Sequence, residues 1–191
     1  MNTQNRRLIL TAATLILAAA MARLLPHPPN FAPIAALGIF GGSVVKDKKL
    51  AFILPLGALL LSDLLFQFFT STPGFYGLGQ IYVYGAFMLI TFLSTRMKKI
   101  SAVNIVFACI WSGVLFFLIS NFGDWVTRSF YPPTFSGLMS CYTAGIVFYK
   151  NDLFGSMLLN SFMANFFFSG LLFGSYALIK KSITAPASRL A

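Results

Sequence analysis

The chain has no glutamate, and its only acids are Asp47, Asp63, Asp124 and Asp152, set against 14 lysines and arginines. It has one histidine, His27, and two cysteines, Cys109 and Cys141. A single histidine supplies no pair for a metal site and no nucleophile–base–acid triad. The two cysteines fall in different apolar segments, which argues against a disulfide. No GxxxxGK[ST] loop occurs, so the chain cannot bind ATP through that motif. Charged residues make up only 9% of the chain, against ~25% in a soluble domain. These shortages predict a protein that is not an enzyme and that carries no metal or cofactor.

What is present is apolar surface. Hydrophobic residues make up 58% of the 191 positions, and the mean hydropathy is +0.80. A soluble fold of this length cannot hide that much apolar area, whereas lipid accepts it and asks only that backbone polar groups be satisfied internally. The runs predict one membrane domain over 1–191, an all-α bundle of six spans at about 8–25, 31–45, 50–69, 81–95, 101–121 and 153–179. A short stretch, LMSCYTAGIVFY, precedes the last span and reads as an extra interfacial helix in the loop from Phe122 to Asp152.

The net charge of +10 is distributed as topology, not as a nucleic-acid surface. Arg6 and Arg7, Lys46 with Lys48 and Lys49, Arg96 with Lys98 and Lys99, and Lys180, Lys181 and Arg189 each flank an apolar run. The positive-inside rule then puts both termini in the cytoplasm of a bacterium bounded by its inner membrane, and no basic face interleaved with aromatics points to nucleic acid. The first run has signal-peptide features around Ala20-Met21-Ala22, but it continues to Leu25 and is read as a retained span.

Between the first two runs lies LPHPPNFAP, with Pro26, Pro28, Pro29 and Pro33. Proline forbids helix there, so this outer segment is expected to be a stiff extended lid carrying His27, with Pro33 opening the next helix and Asn30 as its N-cap. Ala35, Gly38 and Gly42 then recur at helical spacing, and Thr14, Ala18 and Ala22 do so on the first span, giving smooth faces for close helix approach.

Asp63, in LPLGALLLSDLLFQFF, is costly at membrane depth and needs a partner or a water-filled cavity. Arg23 and Arg128 are the candidate partners. A structural ion pair and a ligand contact are both open readings. Asn160, Ser161 and Asn165 in the last span, and Gln67, Gln80, Tyr82, Tyr84 and Asn121 at outer ends, are either interhelical glue or, with Trp125, Tyr131 and Tyr142, the lining of an outward pocket. The candidate substrate-binding set is Arg23, His27, Asn30, Asp63, Gln67, Gln80, Tyr84, Asn121, Trp125, Tyr142 and Asn160.

Six short spans, the small-residue first helix, the proline-containing outer loop, and the stretches NFAPIAALGIFGG, LLLSDLLF, QIYVYGAF and SGLMSCYTAGIVFYKNDLFGS together resemble the S components of energy-coupling-factor (ECF) vitamin transporters and an uncharacterised group of bacterial membrane proteins near them. The resemblance implies capture of a micronutrient between the outer loops and outer helix halves. It further implies docking on a membrane coupling subunit with ATPase subunits, through an AxxxA pattern matched by Ala18 and Ala22 and, on the second helix, the face of Gly38 and Gly42. Solitary S components acting without an ATPase also exist. From a different class, a structural or assembly protein would use the same polar residues only to staple the bundle.

Overall fold

The computed structural model describes residues 3–146 and 155–185. Seven α-helices occur among them and no strand: α1 Thr3–Met21, α2 Ile34–Val44, α3 Lys48–Phe69, α4 Gly79–Ser94, α5 Ala102–Thr127, α6 Phe135–Ile146 and α7 Met157–Thr184. A 3-10 turn, Ala22–Leu24, extends α1. The expected start of the last span at Leu153, the acid Asp152, part of LMSCYTAGIVFY and Arg189 lie outside the described residues.

Four of these segments, Thr3–Leu24, α3, α5 and α7, are long and apolar enough to cross a membrane, which makes this a multi-pass membrane protein. The helices start where local chemistry says they should. Asp47 caps α3 by accepting the Leu50 amide at 3.0 Å, Ser101 caps α5 through Asn104, and Ser156 caps α7 through Leu159.

α2 differs in kind. At 11 residues it rises only about 16 Å, half of a ~30 Å hydrocarbon core. Yet it sits at the centre, touching α1, α3, α4, α5 and α7, with every residue from Ala35 to Gly42 buried. Glycine makes this possible. A Cβ at Gly42 would stand 2.4 Å from the Thr91 carbonyl oxygen, and one at Gly38 3.0 Å from Thr91 Oγ1, so α2 and α4 touch backbone to backbone. The small face expected for a partner protein at Gly38 and Gly42 is therefore spent inside the chain. Ala18 by contrast is exposed on α1, and Ala22 is half-buried.

The chain ahead of α2, from Leu25 to Pro33, is not helical. Several of its polar groups are nonetheless held by the fold. Pro26, Pro28, Pro29 and Pro33 carry no amide hydrogen. The Pro28 carbonyl accepts the Phe31 amide at 3.0 Å, the Pro29 carbonyl accepts Asn160 Nδ2 at 2.8 Å, and the Pro33 carbonyl accepts the Leu37 amide at 2.8 Å. Asn30 is not the N-cap expected from sequence. It takes a left-handed turn conformation at φ 60°, which asparagine tolerates better than most residues, and Pro33 occupies the cap position with no side-chain bond.

A second departure concerns α5, which was expected to end at Asn121 but continues to Thr127. Gly123 is kept helical by packing, its Cα lying so close under Tyr82 that an added Cβ would be 2.5 Å from that side chain. Asp124 and Trp125 consequently lie on a membrane helix, not in an outer loop.

Candidate functional site

Two polar clusters occupy the end of the bundle opposite the lysine-rich turns. The first is centred on Asp63, 4% exposed on α3. Arg23 reaches it from the turn after α1 with Nη1 at 2.6 Å from Oδ1 and also bonds Ser62 Oγ. On the other oxygen, Oδ2 accepts Tyr84 Oη at 2.7 Å and Gln80 Nε2 at 3.1 Å, both from α4. Arg23 lies over the Phe66 ring, 5.4 Å from its centre. Both carboxylate oxygens are matched by strong donors.

The turn between α3 and α4 is stitched to the same cluster. Gln67 Oε1 accepts the amides of Gly74 and Phe75 at 3.2 and 3.3 Å. Gln80 donates to the Gly74 carbonyl at 3.1 Å and accepts the Tyr76 amide at 3.4 Å. Gly74 passes so close that a Cβ there would fall 1.8 Å from the Asp63 carbonyl oxygen. Arg23, Asp63, Gln67, Gln80 and Tyr84, all in the expected binding set, hold α1, α3, α4 and their loop together.

The second cluster is a cavity of about 250 Å³ between the proline segment and α4, α5, α6 and α7. Ile34, Ala35, Val83, Phe116, Phe117 and Met157 supply apolar wall, and Asn30, Tyr76, Ser120, Asn121, Asp124, Arg128, Ser161 and Asn165 supply polar atoms. Asn30 and Asn121 are thus the two members of the expected binding set found there. Ser161 and Asn165 come from the polar group recognised on the last span. Arg128, weighed as a partner for Asp63, pairs with Asp124 at 3.1 Å at the cavity instead.

The amide orientations in this cavity are fixed by their partners. Asn121 Nδ2 donates to the Phe117 carbonyl at 2.8 Å and Asn165 Nδ2 to the Cys109 carbonyl at 3.3 Å, and because a carbonyl can only accept, the other end of each amide must be oxygen. Neither oxygen receives a hydrogen bond among the described residues, although Asn165 is only 2% exposed. Gly113 and Gly145 let the wall pack closely: a Cβ at either would meet a ring carbon, of Phe162 or Phe117, at 2.7 Å. Burial first and the Asp63 carboxylate second push the Tyr76 phenol up to about 12, so this residue, 42% exposed at the rim, offers an O–H donor at any physiological pH.

Other expected binding residues act as struts. Asn160, fully buried, holds the proline segment through Pro29. His27 is exposed with Nδ1 2.9 Å from the Pro28 oxygen and Nε2 3.2 Å from the Arg23 oxygen, bracing the same segment. Trp125 Nε1 donates to the Pro132 carbonyl at 3.0 Å and Tyr142 Oη to the Leu118 carbonyl at 2.9 Å, which fastens α6 and its approach to α5. Tyr76 and Asp124 were not anticipated as lining residues. Tyr76 sits in a glycine-rich turn whose folding back is invisible locally, and Asp124 was hidden by ending α5 too early.

No curated protein and no solved structure matches this sequence. One family model covers residues 2–187, nearly the whole chain, and the protein therefore belongs to DUF6580, a family of unknown function.

Proposed function

We propose that this protein is the substrate-binding membrane subunit of a bacterial uptake system for a small micronutrient, arranged as six crossings with both termini in the cytoplasm and the proline segment on the outside. The single observation that supports it is the cavity beside that segment, where the side-chain oxygens of Asn121 and Asn165 have no donor among the described residues. α2 together with its extended leader serves as one crossing and α4 as another. The resemblance to ECF S components supplies the partner class, a membrane coupling subunit with ATPases, and the exposed face of α1 around Ala18 is available for it.

The volume limits the cargo. An apolar cavity of ~150 Å³ holds benzene, so about 250 Å³ suits a molecule of about ten non-hydrogen atoms. A cobalamin-sized cargo does not fit.

A second reading is favoured by the saturated Asp63 cluster: a structural or assembly protein in which polar residues only tie helices together. Mass spectrometry of small molecules accompanying the purified chain separates the two. Carriage is supported by a stoichiometric compound of that size, lost in a Ser161→Phe variant that places a ring at the cavity wall; a chain that copurifies with no small molecule and no ATPase module would contradict it.

A further inference from the structure

The wall of this cavity carries two chemically opposite kinds of polar group. One is acceptor in character: the Asn121 and Asn165 side-chain oxygens, fixed by their carbonyl partners, with the Asp124 carboxylate nearby. The other is the start of α2. The amides of Ile34, Ala35 and Ala36 have no acceptor among the described residues, and no side chain caps them. They form the positive end of an 11-residue helix that begins in the interior of the bundle, and Ile34 and Ala35 line the cavity. Asn30, the residue a sequence reader would assign to cap them, is turned away into its left-handed conformation.

We propose that the cavity binds a small amphoteric molecule, which presents an ammonium or N–H group to Asn121 and Asn165 and a carboxylate to the first turn of α2. The apolar body lies against Phe116, Phe117, Val83 and Met157. A purely anionic ligand leaves both amide oxygens without a donor. A purely cationic one leaves the α2 amides without an acceptor. Each half-ligand thus forfeits charge-assisted bonds that the zwitterion makes. The paired charges of Asp124 and Arg128 contribute both signs on the same wall, so the site as a whole attracts neither sign of net charge.

This assignment rests on the reading of the cavity as a ligand site, and the test separates the two. Titration calorimetry of the purified full chain in nanodiscs compares leucine, phenylalanine and 4-aminobenzoate, each beside the analogue lacking its amine and the analogue lacking its carboxylate. The expected result is at least one zwitterion bound ~10-fold more tightly than both of its halves. A half that binds as tightly as its parent overturns the amphoteric assignment while leaving carriage standing. A panel in which nothing binds overturns the assignment, and if no compound copurifies either, carriage falls with it. Asn121→Leu gives a second readout, because that side chain bonds only a carbonyl of its own helix and its loss leaves the helix contacts in place. The variant should bind the zwitterion ~10-fold more weakly and the amine-lacking analogue unchanged; an equal loss for both would overturn the role given to Asn121.

Discussion

The Asp63 cluster and the cavity lie at the same end of the bundle, are built from the same kinds of residue, and are opposite in completion. Around Asp63 every strong acceptor has a donor: Arg23 on one oxygen, Tyr84 and Gln80 on the other. Around the cavity, Asn121 and Asn165 spend their donors on helix carbonyls and keep their oxygens unmatched, while α2 opens with bare amides. A buried network that is complete fixes structure; one that is incomplete is costly unless something else completes it. Residue type and membrane depth do not tell the two apart. Saturation does.

That contrast can be broken from either side. The largest effect is expected from Arg23→Ala or Asp63→Ala, each of which strands a buried charge and should cost about 3–5 kcal/mol, read as a fall in thermal midpoint and in folded yield. Replacing both, Arg23→Met with Asp63→Leu, should recover much of that loss, since an apolar pair of similar volume avoids the desolvation of two ions. Gly74→Ala comes next. Its Cβ would overlap the Asp63 carbonyl, and a forced backbone shift of this kind costs about 1–3 kcal/mol or more; an unchanged midpoint would refute the close approach of that turn.

Asn160→Leu releases the Pro29 carbonyl and should cost about 1–3 kcal/mol, with greater protease sensitivity in the proline segment than elsewhere. The smallest change is expected in the cavity itself. Ser161→Ala bonds nothing beyond its own helix and should shift stability by less than about 0.5 kcal/mol while altering the affinity of any bound molecule. A large stability loss there, with none at Asp63, would invert the comparison.

The membrane class, the helical content and the short helix near Cys141 were legible from apolar run length and the spacing of basic clusters. The pairing of Arg23 with Asp63 was one of two candidates by depth alone. What sequence could not give is how α2 is completed. Its run from Phe31 to Val45 reads as a span, whereas only 11 residues are helical, because Pro33 fixes where helix can begin and Asn30 turns the chain just before it. Gly38 and Gly42 advertise a close approach without saying to which helix; Thr91, an unremarked residue of α4, receives them. Asn160 and Asn165 sit on the same helix and look alike in sequence. One braces a loop and the other lines the cavity, a difference set by neighbours far away in the chain.

The most direct measurement places one cysteine in each cluster, Ser161→Cys at the cavity and Ser62→Cys at the ion pair, and follows labelling by a membrane-impermeant maleimide in spheroplasts. Native Cys109 and Cys141 are both buried and give the baseline. The expected result is rapid labelling at position 161, slowed by whatever compound the protein carries, with position 62 at baseline. Equal labelling at both positions, or labelling at 62 alone, would contradict the distinction between an open cavity and a closed structural core.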